Sequence, residues 1–181
     1  RGWLMRDATM KHFLYRQFLR APGFRGKGRI EAFLRRVCFT PARQRIVHDL
    51  AMQLDPVEWP QAEILARGCL EPRTTALFGE LLRPGDTYLD VGAHVGFHTL
   101  VARHFVGASG RVIAVEPQPY NGSKLLANWQ ANGFTNVFLY VAAAGERDGA
   151  IVLYDQKSSD RSRLTLSLKA VNDQPQRFQV P

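Results

Sequence analysis

Residues 88–100, with the sequence YLDVGAHVGFHTL, combine the side chains and spacing best suited to chemistry in this chain. An apolar run reaches Asp90, and Gly92 and Gly96 follow before a second apolar segment with helical spacing. Glycines let the backbone pass close to a ligand, and the amide-rich start of the following helix points at the same place. A second acid, Glu116, ends the next apolar run, 20 residues after Gly96. We therefore predict a ligand site that these residues share.

The turn at residues 92–96 distinguishes between two classes of cofactor. A dinucleotide fold would place G-x-G-x-x-G here, whereas the sequence reads GAHVG. A carboxylate at Asp90 beside a pyrophosphate would also be an unfavourable like-charge pair in a partly dry crevice. S-adenosylmethionine has no phosphate and carries a sulfonium and an ammonium, so acidic groups attract it. The predicted cofactor contacts in this turn are Gly92, Ala93, His94 and Gly96.

The acid at the end of the second apolar run suits a ribose. A carboxylate at Glu116 can accept both hydroxyl protons, and charge-assisted hydrogen bonds of this kind contribute about 1.5–3 kcal/mol each. This role fits NAD as well as S-adenosylmethionine, so Glu116 alone does not discriminate. Each motif taken singly also fits a tight turn in an α/β domain that binds nothing. The two together, at successive strand ends, favour cofactor binding.

The elements that must position these residues alternate between strand and helix. The pattern predicts strands and helices at residues 88–93, 97–105, 111–117, 123–133 and 136–143. This βαβαβ order implies parallel strands joined by right-handed crossovers. The predicted fold class is therefore α/β, a Rossmann-like, doubly wound and mostly parallel sheet with its ligand site at the carboxyl ends of the strands. A hairpin follows, with one strand at 150–155 and its partner near 163–169.

The charge of the chain divides it into two regions. Residues 1–45 carry 12 Lys and Arg against two acids, whereas the rest of the chain carries 12 against 14. We predict a basic helical arm over residues 1–66 and the Rossmann-like domain over residues 67–181. Near the start of the arm, apolar residues recur at helical spacing between basic ones. That stripe either packs on the domain or lies on an anionic membrane surface, and nucleic acid is the less favoured partner.

A further helix is predicted in the second half of the arm. Thr40 and Pro41 resemble an N-cap and first helical position, and apolar residues continue at 46, 47, 50 and 54. We interpret this helix as structural.

Composition excludes other classes of protein. The chain is 45% hydrophobic and 22% charged, which is typical of a folded domain. Cys38 and Cys69 stand apart without a metal-binding motif, so we expect a reduced, cytoplasmic setting and no metal site. The longest apolar run, 137–144, is far shorter than the roughly 20 residues that a membrane span needs.

Four stretches together resemble a known family. They are EPRTTALFGELLRPGDTYLDVGAHVGFHTLVA, GRVIAVEPQPYN, LLANWQANGFTNV and AAAGERDG, within residues 67–155. The chain resembles the N-terminal half of the FkbM family of S-adenosylmethionine-dependent methyltransferases. The resemblance implies that Asp90, Gly92 and Gly96 form the first cofactor motif and that Glu116 holds the ribose.

The same resemblance implies roles for further residues. Ala142 and Ala143 fall where the family lines the adenine. Glu71 matches an acid that faces the methionine end of the cofactor, although a solvated loop acid fits this position equally well. Asn128 and Asn132 match paired asparagines on the second helix.

Two departures from the family limit what the resemblance implies. His94 stands where the family usually has asparagine, and the fourth core strand of the family has no counterpart before residue 181. We therefore interpret the sequence as a fragment, with most of the acceptor pocket beyond it. His98 also lies near the expected cofactor, but a lone histidine there is more often a packing residue than a base. No catalytic base is predicted.

The predicted function is methyl transfer from S-adenosylmethionine to a hydroxyl of a sugar or other natural-product-like small molecule. The alternatives are a catalytically silent module that binds membrane or nucleic acid through the basic arm, and an NAD(P)-dependent oxidoreductase. A half-sheet leaves an exposed strand edge, so a homo-oligomer is a further expectation.

Overall fold

A computed structural model describes residues 14–15, 17–18, 20–38, 42–56, 58–146, 149–155, 164–165 and 176–181. The helices in these ranges include α1 Lys27–Cys38, α2 Trp59–Arg67, α3 Pro72–Leu81, α4 Phe97–Val106 and α5 Pro119–Ala131. The strands are β1 Ala42–Arg45, β2 Ala51–Leu54, β3 Thr87–Val91, β4 Arg111–Val115, β5 Val137–Tyr140, β6 Ile151–Asp155, β7 Leu164–Thr165 and β8 Gln176–Val180.

The central sheet has the order β3–β4–β5, with all three strands parallel. Helix α4 connects β3 to β4 and α5 connects β4 to β5, because parallel neighbours require a long crossover. The α/β fold class and the βαβαβ order predicted from the sequence are confirmed. The carboxyl ends of β3 and β4 lie side by side, since Val91 pairs with Val115.

The two faces of this sheet differ in what covers them. Val112 and Ala114 on β4 are buried, and Val112 belongs to a core that α4 completes with Leu100 and Val101. The alternating side chains point the other way, and Leu89 on β3 is 58% exposed. Both crossover helices therefore cover the same face, and the opposite face is open to solvent along β3 and β5.

The segment before α2 is a hairpin, so the helix predicted after Thr40 and Pro41 is wrong. Strands β1 and β2 pair antiparallel around a short 3₁₀ turn at Val47–Asp49. His48 and Asp49 both adopt a positive φ, which reverses the chain in place of continuing a helix. Two of the apolar positions noted there, Ile46 and Leu54, are buried in the hydrophobic core. Their spacing fits one helical face and a short hairpin equally well.

One hydrophobic core runs through both regions that the sequence distinguished. Tyr15, Leu54 and Ile64 are buried in the same cluster as Leu100 and Val112. The predicted boundary between residues 66 and 67 therefore lies within this cluster. In the basic arm, Tyr15 packs inward and its hydroxyl donates a hydrogen bond to Glu31 on α1. The arm's predicted helical stripe at residues 3–13 lies outside the described residues.

The C-terminal hairpin is confirmed in the described residues. Strand β6 pairs antiparallel with β7, with Tyr154 opposite Thr165. It pairs on its other side with β8, where Ile151 lies opposite Val180, a partner that the sequence did not predict. Across the described part of the chain, none of the helices combines the length and apolar character needed to cross a bilayer.

Candidate functional site

A cavity of about 450 Å³ opens where β3 and β4 end, and we call it the ligand cavity. Cofactor and small-molecule sites commonly have volumes of about 300–1,000 Å³. Its walls are formed by Pro60, Ile64, Leu70, Glu71, Asp90, Gly92, Ala93, His94, Val95, Phe97, His98, Glu116, Pro117 and Asn121. The structure therefore brings together most of the residues that the sequence predicted for the site.

The turn at residues 92–96, which we call the cofactor turn, has a strained backbone. Gly92, His94 and Gly96 have φ values of 81°, 52° and 90°. Glycine adopts this left-handed region at no steric cost, whereas for His94 the same conformation costs free energy. The amides of Gly92 and Ala93 hold the turn against β4, because both donate to the carbonyl of Val115 at 2.8 and 3.1 Å. His94 is therefore held in its conformation by its surroundings.

Gly96 is the one residue of the predicted turn contacts that does not line the cavity. It precedes α4, and a Cβ built on it would lie 2.8 Å from Cγ of Leu125 on α5. Its small size therefore allows the start of α4 to approach α5. This role belongs to packing behind the cavity, and the predicted contact of Gly96 with the cofactor stays a prediction.

Glu116 is fixed at the cavity wall by the protein's own donors. It is 4% exposed, and its two oxygens accept hydrogen bonds from the amides of His94 and Gln118 at 2.8 and 2.9 Å. The side-chain amide of Asn121 donates a longer bond of 3.4 Å to the same carboxylate. Burial raises the pKa of Glu116, and these hydrogen bonds oppose the increase. The carboxylate is oriented before any ligand arrives.

Asp90 is the second buried acid of the cavity. It is 8% exposed and accepts a hydrogen bond from the hydroxyl of Thr99 on α4. Burial raises the pKa of Asp90, while the Thr99 bond and the neighbouring His98 act in the opposite direction. A cationic ligand group next to Asp90 would therefore find a poorly solvated carboxyl group that gains from charge pairing.

Glu71 reaches the same cavity from the start of α3. Its side chain is mostly exposed, its backbone has φ 45°, and its Oε2 lies 3.9 Å from Nε2 of His98. His98 packs edge-on against Phe78 and Phe97, and its Nε2 is buried without a hydrogen bond among the described residues. The structure thus places Glu71 on the wall of the cavity, and its contact with the methionine end of the cofactor stays a prediction.

The segment before residue 67 forms a part of the cavity that was not predicted from the sequence. Pro60 and Ile64 on α2 close one side of it. The buried Glu58 directly precedes this helix, and its Oε2 lies 3.8 Å from Nε2 of His94. The pattern EWPQAEILAR indicates a helix, but nothing local to it reveals that this helix faces the cofactor turn.

Ala142 and Ala143 do not line the ligand cavity. Strand β5 ends at Tyr140, and the chain then turns toward the end of β8, where the amide of Ala143 donates to the carbonyl of Pro181 at 2.9 Å. Ala143 lines a separate cavity of about 440 Å³. Their predicted contact with adenine is therefore not assembled in this structure and stays a prediction.

The fold and the cavity together define a class of protein. A parallel βαβαβ sheet carries a buried acid near the end of β3, a glycine turn directly after that strand, and a second buried acid after β4. This is the arrangement of the Rossmann-like, class I S-adenosylmethionine-dependent methyltransferases. Within that class, the family model for protein-L-isoaspartate(D-aspartate) O-methyltransferase (PCMT) matches residues 37–149. Because the match covers more than half of the chain, the chain belongs to this family.

The chain is also similar to known proteins over shorter segments. The chain is 39% identical over 72 residues to protein-L-isoaspartate O-methyltransferase 2 of Archaeoglobus fulgidus, which is 39% of this chain and 33% of that protein. It is 37% identical over 73 residues to arsenite methyltransferase of Halobacterium salinarum, covering 40% of this chain and 18% of that protein. The matched segment thus spans a third or less of these relatives. A solved protein-L-isoaspartate O-methyltransferase aligns with a TM-score of 0.39 and 27% identity, over 41% of this chain and 24% of that one. These matches do not show the narrower FkbM family, which stays a prediction.

Proposed function

We propose that the protein binds S-adenosylmethionine in the ligand cavity and transfers its methyl group to an oxygen of a small-molecule acceptor. The observation that carries this proposal is that two buried carboxyl groups, Asp90 and Glu116, lie on either side of a turn whose glycines have positive φ values. The acidic lining suits a cofactor with a sulfonium and an ammonium and no phosphate. The family's methyltransferase activity favours this function over an NAD(P)-dependent oxidoreductase.

The residues of the chain would divide the work of binding. When bound, S-adenosylmethionine supplies a methyl group on an already activated sulfonium, so alignment of the acceptor is the main requirement. Glu116 is oriented by two amides to accept hydrogen bonds from the ribose hydroxyls. Asp90 and Glu71 lie where carboxyl groups can attract the cationic end of the cofactor. The backbone of the cofactor turn allows close approach.

The charge of the cavity supports a neutral acceptor oxygen such as a hydroxyl. The described lining residues include Glu71, Asp90 and Glu116 but no Lys or Arg. A carboxylate acceptor, such as the name of the Archaeoglobus relative implies, would enter this field against like charge. We therefore keep the hydroxyl of a sugar or natural-product-like molecule as the proposed acceptor. The proposal also includes an acceptor specificity like that of the FkbM family.

Binding of the product S-adenosylhomocysteine tests the cofactor assignment. At about 100 times its dissociation constant it should add roughly 2.7 kcal/mol to the free energy of unfolding, raising the melting temperature by several degrees, whereas NADH should not. Replacing Glu116→Gln should weaken S-adenosylhomocysteine binding roughly 10- to 100-fold in calorimetry, because a charged acceptor is lost. Glu63→Gln is the matched control, since Glu63 pairs with Arg67 outside the cavity. Unchanged affinity in the Glu116 variant would contradict the ribose assignment.

A second proposal concerns the basic arm, which we expect to contact an anionic membrane surface. The supporting observation is that two apolar side chains of α1 are exposed, Phe33 at 64% and Ile30 at 44%, and that Ile30 directly follows Arg29. Exposed apolar side chains next to cations are typical of helices that lie in a lipid interface. Association of copies of this chain and a cytoplasmic location stay predictions.

A further inference from the structure

The free edge of β2 is bonded by asparagine side chains in place of a neighbouring strand. One edge of β2 pairs with β1, and the backbone groups of its other edge face α5. Asn132 accepts a hydrogen bond from the amide of Ala51 and donates one to its carbonyl, both at 2.8 Å. A buried strand edge must have its backbone groups satisfied, and this side chain does so as a strand partner would.

Asn128, one helical turn earlier, connects the same edge to the cofactor turn. Its Oδ1 accepts a hydrogen bond from the amide of Gln53 at 2.8 Å, and its Nδ2 donates one to the carbonyl of Val95 at 2.9 Å. The side chain is 1% exposed, so water does not compete for either bond. A single amide group therefore joins β2, α5 and the turn that lines the ligand cavity.

The carbonyl of Val95, which accepts the hydrogen bond of Asn128, lies in the middle of the cofactor turn. Val95 lies between His94 and Gly96, which have φ values of 52° and 90°. A backbone in sparsely populated conformations persists where its surroundings hold it from several sides. The amide of His94, in turn, is one of the two backbone donors that orient Glu116. Movement of the turn would therefore move the ribose-binding carboxylate.

We propose that Asn128 is a positioning residue that couples docking of the β1–β2 hairpin to the conformation of the cofactor turn. Asn132 caps the C-terminal end of the same helix, faces the same strand and has the same hydrogen-bonding groups, but its side chain bonds to Ala51 and to the helix backbone and not to the turn. Comparing substitutions of Asn128 and Asn132 therefore distinguishes coupling of the hairpin to the cofactor turn from attachment of the hairpin to α5. The effect on ligand binding rests on the function proposed above, whereas the effect on the turn itself does not.

Amide hydrogen exchange of the ligand-free protein tests the coupling directly. In Asn128→Ala, the amides of His94 and Gly96 should exchange about tenfold faster than in the wild type, because one buried hydrogen bond no longer restrains the turn. In Asn132→Ala, the amide of Ala51 should exchange faster, while His94 and Gly96 keep rates close to those of the wild type. Equal acceleration of the turn amides in both variants, or none in Asn128→Ala, would overturn the proposal.

Calorimetry with S-adenosylhomocysteine is the second test of the proposal. Asn128→Ala should weaken binding about tenfold and Asn132→Ala by much less, when both are measured well below their melting temperatures. If the wild type itself binds no S-adenosylhomocysteine, the proposed function fails, and hydrogen exchange still decides the coupling.

Wild-type protein alone provides a test if the variants do not fold. Under native conditions with increasing urea, the amides of Gln53, His94 and Gly96 should open with the same free energy and the same urea dependence, as one cooperative unit. Separate opening of Gln53 from the two turn amides would show that Asn128 does not couple them.

Discussion

At the scale of single residues, the site depends on two carboxyl groups that the fold removes from water. Asp90 and Glu116 lie on adjacent strand ends, and burial is the largest influence that raises the pKa of each. The two groups also interact through space, because the charge of Asp90 further raises the pKa of Glu116. A cationic ligand would relieve this repulsion, which links binding to protonation.

The raised pKa values predict a specific dependence of stability on pH. The folded, ligand-free chain holds these protons more tightly than the unfolded chain, in which such groups titrate near pH 4. Their stabilising contribution is therefore complete below about pH 4 and is lost as the pH rises through the raised values in the folded state. At pH values above the raised pKa of Asp90, we expect Asp90→Asn to have a higher melting temperature than the wild type. The difference should disappear toward acidic pH.

Thermal unfolding between about pH 4 and 8 measures this difference. Asn at position 90 can still accept the hydrogen bond of Thr99, so the comparison isolates the charge. Glu80→Gln, at an exposed position on α3, serves as the control and should follow the wild type. A constant offset between Asp90→Asn and the wild type at all pH values would show that ionisation of Asp90 is not the cause.

At the scale of elements, the junction between β3 and α4 sets the geometry of the site. Gly96 has φ 90°, and the chain turns there from the cavity into a buried helix that packs beside Leu125. The strand, the turn and the helix were all visible in the sequence, because apolar periodicity and two glycines are local signals. The hairpin of β1 and β2 was not, since its free edge is bonded by side chains about 80 residues further along the chain.

The packing role of Gly96 predicts the cost of adding a methyl group. Gly96→Ala should lose roughly 2–5 kcal/mol of unfolding free energy, from left-handed strain of about 1–2 kcal/mol and overpacking of about 1–3 kcal/mol. Gly133→Ala is the matched control, because Gly133 has φ 65° and a Cβ added there would meet no atom within 4 Å, so only the strain applies. Urea unfolding of both variants measures the costs. Equal losses would show that the contact with Leu125 does not matter.

At the scale of the whole molecule, charge and apolar surface are distributed unevenly. The net charge of +8 is carried by residues 1–45, whereas the sheet and its helices are close to neutral. Helix α1 packs Leu34 against the core, whereas Ile30 and Phe33 on the same helix are exposed. The part of the molecule that carries the positive charge thus also exposes apolar side chains away from the ligand cavity.

This distribution predicts binding to vesicles of phosphatidylcholine that contain about a third phosphatidylglycerol, and much weaker binding to phosphatidylcholine alone. The double variant Ile30→Ser and Phe33→Ser should lose most of this binding in a flotation assay. Leu126→Ser, which removes an exposed leucine from α5, should not. Equal binding of the double variant and the wild type would contradict a role for α1. Salt-sensitive binding to single-stranded RNA without vesicle binding would point to nucleic acid as the partner.

The sequence by itself determined the parallel sheet, the cofactor turn and both buried acids. Asp90 lies near the end of β3, and Gly92 and Glu116 directly follow β3 and β4. The apolar periodicity of these strands is local, and parallel strands must bring their carboxyl ends to one edge. Only the tertiary structure decided that α2 closes the cavity, that Ala143 lies outside it, and that Asn128 reaches the carbonyl of Val95. These features depend on contacts between segments far apart in the chain, and their energies are settled by packing that no short pattern encodes.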